Sequence, residues 1–302
     1  MKPFTGLRIH ETNFNFAGME NIILAIFFSS CIIVTFRLFI ILKIDNLQAI
    51  TFNYLAAAIL SYIAYGQSFT PIDLIYKPWF GWAVINSFLF ILVFFVFARS
   101  AQKAGVAVTA VASKMSVIIP VSIGIILYGD SLNIPKALGI VTAFPAFYLV
   151  FSGRQKERTD KRYWLLPLIL FLGTGSNDSV MKHAQKFHVG NEYLLFLGTI
   201  FALSLVIGMI AWVSKMTGPS GKLSFRNIFA GTILGVFNFS STLFFLKSLA
   251  IFESSVFFPV FNVSVVSMGA LIGWLIFREK LLPANWLGIF LAILTILFIA
   301  IA

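Results

Sequence analysis

The sequence predicts an all-α membrane protein with ten transmembrane helices arranged as two inverted five-helix repeats. Three observations carry that expectation: a shortage of charge, a succession of apolar runs of bilayer length, and a self-match between the two halves. Of the 302 residues 59% are hydrophobic and only 11% charged, and the mean hydropathy is +0.95. A soluble domain carries about 25% charged residues. Too few are present here to coat a folded surface in water, so most side chains must face the bilayer. The 35 Phe suit such a lipid-facing surface.

Crossing a hydrocarbon core takes about 20 residues of helix. Residues 22–42, 47–65, 79–97, 106–127 and 135–151 qualify, and after a polar gap so do 164–181, 193–213, 228–246, 255–277 and 283–302. Runs this continuous, without strict alternation, are helices, because hydrocarbon offers the backbone no hydrogen-bond partner. Short connections make successive helices antiparallel neighbours. The second run is the weakest, since Asn53 and Tyr54 interrupt it. The basic stretch 153–163 reads as a linker between a first repeat, 19–152, and a second, 164–302. The polar stretch 1–18 has no apolar core of its own and reads as a tail rather than a signal peptide. Met19, directly before the first run, offers an alternative start.

A shift of 149 residues lays 95–140 over 244–289. Ala101 then meets Ala250, Val111 meets Val260, Gly124 meets Gly273 and Leu132 meets Leu281. Leu138-Gly139-Ile140 falls on Leu287-Gly288-Ile289, and Asp130 on Glu279. Leu and Val coincide easily in apolar chains. A carboxylate followed by Leu after two residues and Gly after nine is the more telling match. An odd number of spans per half gives the repeats inverted topology, an architecture of secondary transporters with substrate sites near the midplane.

At these residues the sequence resembles the drug/metabolite transporter superfamily, in its ten-helix EamA-type form. Gly129-Asp130-Ser131-Leu132 with Gly139, and Arg278-Glu279-Lys280-Leu281 with Gly288, are similar to that family's Gly-Glu-Arg-Leu signature between the fourth and fifth helices of each repeat. Pro120 stands where the family has a fourth-helix proline, and Gly269 takes that place in the second half. Asp130 for Glu and Arg278 for Gly depart from the pattern. The resemblance implies movement of small metabolites such as amino acids or nucleosides by alternating access, with both termini inside.

Ionisable side chains deep in a membrane are costly and mark function by default. Lys114, beside Ser113 in the fourth run, and Asp178, beside Asn177 in the sixth, are the two that stand out. Their helices leave the same membrane side, with an axial offset of about 8–9 Å, so a direct or water-bridged pair is within reach. Lys114 and Asp178 either line a substrate path or form a buried pair that holds helices together. Asn86, Asn238, Asn262, Asn53 and Thr35 also lie within runs, and are either lumen residues or interhelical hydrogen-bond partners. The substrate-path set is therefore Lys114, Asp178, Asn177, Asn86, Asn238, Asn262, Ser113 and Thr35. Asp178 is the candidate site for a coupling proton or cation. Gly231 and Gly235 carry the small-residue spacing of close helix packing. Arg37, Lys43, Arg99, Lys103, Lys182, Lys186 and Lys247 sit near run ends, where long cationic chains snorkel.

Formal net charge is +11, but the cations are spread between apolar runs, so lipid headgroups and not nucleic acid are the expected anions. Odd-numbered connections hold fourteen Lys and Arg and the even side seven, with Lys114 completing the 22. That bias puts odd loops in the cytoplasm and both termini outside, against what the resemblance implies. Cys31 is the single cysteine, so no disulfide forms within the chain, and His10, His183 and His188 lack a metal-ligand spacing. No phosphate-binding loop or catalytic constellation is present, and no cofactor is expected. The sequence thus predicts a secondary transporter of a small organic metabolite in the plasma or inner membrane. A broad lipophilic-cation exporter is the alternative, which Lys114 opposes, and a membrane-embedded enzyme a more distant one.

Overall fold

Every regular element among the described residues is helical. The computed structural model describes residues 16–103, 106–151, 163, 165–214, 223–278 and 280–301. The expected tail 1–15, most of the linker 153–163 and the signature residue Glu279 lie outside them. The helices are α1 (Phe16–Ile41), α2 (Asn46–Tyr65), α3 (Pro71–Ile75), α4 (Phe80–Lys103), α5 (Val106–Met115), α6 (Ile118–Tyr128) and α7 (Ile134–Phe151). Then follow α8 (Leu165–Ala184), α9 (Tyr193–Val213), α10 (Phe225–Ile251), α11 (Ser254–Leu275) and α12 (Pro283–Ala300). A π-helical turn, Gln185–Val189, continues α8.

Eight of these segments are long and apolar enough to cross a membrane, with α5 and α6 counted together over Thr109–Tyr128. Of the ten expected, two fall short for physical reasons. The apolar part of α7, Ile134–Val150, lies at the short end of what crosses a bilayer. Helix α8 has the length, 20 residues, but its Gly-Thr-Gly-Ser-Asn-Asp stretch lowers its hydropathy. The short α3, closed by a reciprocal Thr70–Asp73 capping box, was not anticipated. Conversely, Asn53 and Tyr54 do not interrupt α2, because Asn53 accepts an amide hydrogen from Asn238 at 3.1 Å.

Between helices in lipid, packing relies on small residues and a few hydrogen bonds, since lipid tails are as apolar as Leu. Helices α2 and α10 run parallel and nearly touch: a Cβ on Gly231 would strike the Ala49 carbonyl, and one on Gly235 would lie 2.7 Å from the Asn53 carbonyl. Asn227 donates to Gln48 at 3.0 Å along the same seam. Helices α7 and α12 run antiparallel, with Gly139 against Ile299 and Gly288 against Val150. Asn285 donates to the Leu149 and Val150 carbonyls at 3.0 Å, and the Thr142 and Thr295 hydroxyls meet at 3.0 Å.

Gly129 ends α6 at φ 70, a left-handed conformation natural to glycine. Arg278, 149 residues on, follows α11 at φ 53. The signature departure at Arg278 therefore keeps the glycine conformation with a side chain that resists it. Left-handed backbone costs a non-glycine residue about 1–2 kcal/mol. Replacing Arg278 by Gly should raise the thermal midpoint in detergent by that order, and Gly129→Ala should lower it. A fall with Arg278→Gly would mean that the Arg278 side chain contributes more than its backbone strain costs.

Candidate functional site

The expected fourth run, 106–127, is not one helix but two, α5 and α6, joined by a turn at Ser116–Val117. Pro120 is the cause. It has no amide hydrogen, and its ring excludes the carbonyl four residues back, that of Ser116. The Ser116 carbonyl accepts instead from Ile119 N–H at 3.0 Å in a tighter turn, and the Ser116 hydroxyl donates to Ser113 O at 2.5 Å. Helix α8 packs on the break: a Cβ on Gly175 would lie 2.9 Å from Ser116 O and collide with Ile119. Non-helical backbone at this depth persists only where protein covers it or where it lines a water-filled cavity.

Lys114 lies in the last turn of α5, just before the break. Its ammonium donates to Asn262 Oδ1 on α11 at 3.1 Å. Asn262 Nδ2 donates to Phe258 O at 3.0 Å, which leaves its oxygen for the ammonium, a group that can only donate. Ten residues beyond Lys114, Gly124 lies against Ser254, eight residues before Asn262, so α5–α6 and α11 run antiparallel. The described residues give Lys114 no second hydrogen-bond partner. Asp178 on α8 interacts with it through space without closing to an ion pair, and Asn177 stands beside that carboxylate. Gly175 marks the level of Ser116, so Lys114 and Asp178 are separated along the axis by about 7–8 Å. Lys114, Ser113, Asn177 and Asp178 each keep partial exposure, whereas Asn86 on α4 has none.

Helices α4 and α8 are antiparallel, with Trp82 on His183 (ring centroids 4.6 Å apart) and Gly173 against Val93. That register sets Asn86 opposite the Asn177–Val180 turn. Both polar atoms of the Asn86 amide, Asn177 Oδ1 and Thr174 Oγ1 are buried without a partner. A buried polar group left unmatched costs about 1–3 kcal/mol. These four atoms mark where water or a solute would pair.

The structure does not bring the whole expected set together. Lys114, Ser113, Asn262, Asp178, Asn177 and Asn86 belong to the four adjoining elements α5, α11, α8 and α4. Asn238 instead bridges α10 to Asn53 on α2, the interhelical alternative. Thr35 gives its hydroxyl to Cys31 O at 2.8 Å and lines an apolar groove of 1130 Å³ between α1, α10 and α11 that contains none of the other seven. Lys182 does not snorkel: at 6% exposure it donates to the Leu249 and Phe252 carbonyls at 2.6 and 2.8 Å, closing the C-terminus of α10. Thr174, which holds one of the unpartnered atoms, was outside the expected set, although it stands in a polar stretch already conspicuous in the sequence.

On the even-loop side the helix ends are tied across the bundle. Asp130 accepts from Ser255 N–H at 3.0 Å, capping α11. Lys136 donates to Glu253 at 2.7 Å and to both Ser131 oxygens. Glu192 pairs with Lys77 and accepts from Trp79 Nε1 at 2.8 Å. Partial burial works against the charge on Glu253 and Glu192, but these donors more than offset it and hold both carboxyls below their ordinary value.

The fold and these elements define a multi-pass helical membrane protein. Residues 162–301 match the model of the EamA-like transporter family, and the likeness to drug/metabolite transporters drawn from the signature residues holds. A Haemophilus influenzae protein, described only as uncharacterized, is 26% identical over 282 residues, covering 90% of this chain and 94% of its own. A crystal structure of a protein with no stated function shares the fold with a TM-score of 0.70 at 12% identity, over 93% of this chain and 96% of that one.

Because the Glu253 and Glu192 values are depressed, their contribution to stability is present above about pH 4.5 and is lost as pH falls through the folded-state values below it. Melting midpoints should therefore be level above that pH and decline beneath it. Glu253→Gln should cost about 1–2 kcal/mol at pH 7, since Lys136, 5% exposed, keeps only Ser131. It should also make the acid decline shallower, and an unchanged midpoint at both pH values would show the tie to be idle.

Proposed function

We propose that the chain is a secondary transporter that moves a small polar organic metabolite, an amino acid, a nucleoside or a similar solute, by alternating access between two inverted five-helix repeats. The contact between Lys114 and Asn262 carries this reading. With the 149-residue offset, the counterpart of Lys114 is Val263, the neighbour of the residue it binds. A residue that faces its own counterpart across two antiparallel helices lies on the axis relating them. Lys114 is thus assigned to the level of the pseudo-two-fold axis, where transporters of this architecture hold substrate.

The α7–α12 seam supports the same relation. Gly139 rests on Ile299 and its counterpart Gly288 rests on Val150, and Val150 and Ile299 are themselves 149 residues apart. On this reading α7 and α8 complete ten crossings, and the polar stretch that disqualifies α8 by composition is the stretch that serves the path. Lys114 meets an anionic or electron-rich group of the solute, and the unpaired Asn86, Asn177 and Thr174 atoms meet its polar edges. Asp178, one to two turns away, is the coupling site for a proton or cation.

Proteoliposomes offered amino acids, nucleosides and organic cations, with and without a pH gradient, should accumulate a member of one of the first two classes. Lys114→Ala should weaken transport about ten-fold or more, the value of a hydrogen bond to a charged group, while expression and melting stay near wild type. Parallel loss of folded protein would instead assign Lys114 to holding α5 on α11.

Asp178→Asn should abolish gradient-driven accumulation while substrate exchange continues. Undiminished accumulation would end the coupling assignment.

A further inference from the structure

The apolar groove between α1, α10 and α11 is separate from the polar site. On α11 its lining runs through Ser264, Met268, Ile272 and Ile276, a single stripe at intervals of four, while Asn262 turns toward α5. Its walls face outward, with Phe27 56%, Phe229 59% and Ile276 62% exposed. Along α1 it extends from Ile23 to Leu42, about 28 Å of helix and close to the full hydrocarbon depth. Ser30 and Thr35 give their hydroxyls to their own helix at 2.7 and 2.8 Å, so neither presents an unmet donor to the groove.

One end of the groove is cationic. Helix α1 is antiparallel to α10, with Ser29 on Ser241 and Gly18 on Phe252, and parallel to α11, with Ile33 on Gly269 and Arg37 over Phe277. The C-terminal ends of α1 and α11 therefore meet the N-terminal end of α10. Arg37, Lys43, Arg226 and Arg278 collect there. Arg226 is itself part of the lining and has no ion-pair partner among the described residues. Asp45, nearby at the start of α2, is occupied with Gln48 N–H at 2.9 Å. At the opposite end, around Ile23, the lining holds no basic residue.

We infer that this groove binds an anionic glycerophospholipid, an acyl chain along α1 and its phosphate in the collar at Arg226. A neutral lipid fills the same apolar length but leaves the collar without an anion. Each Lys or Arg near a membrane surface favours an anionic headgroup about five-fold, and the N-terminus of α10 acts in the same direction.

Native mass spectrometry of the full chain in neutral detergent tests this. Dioleoyl phosphatidylglycerol is titrated in one series and dioleoyl phosphatidylcholine in the other. Phosphatidylglycerol is expected to bind more tightly. Arg226→Gln should weaken it about five-fold and leave phosphatidylcholine unchanged. Ala230→Trp, which fills the groove from α10, should weaken both lipids, and Ser264→Leu on the facing wall repeats that test should the first variant not fold. Equal binding of the two lipids, or a phosphatidylglycerol preference that survives Arg226→Gln, overturns the inference. So does undiminished binding to both filled variants, or a dimer that excludes lipid, which assigns the groove to a second copy of the chain.

Discussion

Hydrocarbon supplies no hydrogen-bond partner, so wherever this backbone leaves the helix the protein must supply one itself. That demand accounts for several of the polar side chains inside the bundle. The Ser116 carbonyl freed by Pro120 is taken by Ile119 and covered by α8 at Gly175. The open carbonyls of α10 go to Lys182, and the open N–H of Ser255 goes to Asp130. Once these are set aside, Asn86, Asn177, Thr174, Asp178 and the remaining donors of Lys114 form one neighbouring group on α4, α8 and α5 that no helix end or break requires, apart from the scattered Trp212, Ser254 and Ser267 atoms. The functional assignment rests on that remainder, since a polar group that stabilises nothing is hard to retain in a membrane otherwise.

The same economy shapes the seams. Gly231 and Gly235 bring α2 and α10 close enough for Asn227–Gln48 and Asn238–Asn53 to bridge them, while Gly139 and Gly288 do the same for α7 and α12. Asn238 and Asn53 thus belong to packing although they share the chemistry of Asn262. What separates the two roles is the partner: an amide on the facing helix satisfies Asn238, whereas an ammonium that is itself only partly satisfied holds Asn262.

Composition and run length made the helical, membrane-spanning class legible, and the signature residues made the likeness to the EamA-like transporters legible, because both depend on features local in sequence. The break in α5–α6 was legible in principle, since Pro120 dictates it, but a hydropathy window averages across a two-residue turn. Lys114 and Asp178 were conspicuous because charge in an apolar run is visible one residue at a time. Which of the several Asn residues joins them depends on the crossing of α4, α8 and α11, a property of pairs of helices that no single run encodes. Lys182 was misread for the same reason: its stem reaches the end of α10, 67 residues further on.

On the two-repeat reading, α1, α10 and α11 correspond to α8, α4 and the α5–α6 pair, and the two sets are not packed alike. Trp82 rests on His183, Gly173 on Val93 and Gly175 on the α5–α6 break, so the second set is closed. The first set stands open around 1130 Å³. On the proposed mechanism each half would take up either arrangement in turn, the packing that one gives up being taken up by the other. The exchange would then shift populations with little net change in free energy, and a solute at the Lys114 level would bias it only through unequal affinity for the two states. A lipid lodged between α1, α10 and α11 would be expelled when that set closed, so the groove and the solute site would be coupled through the same rearrangement.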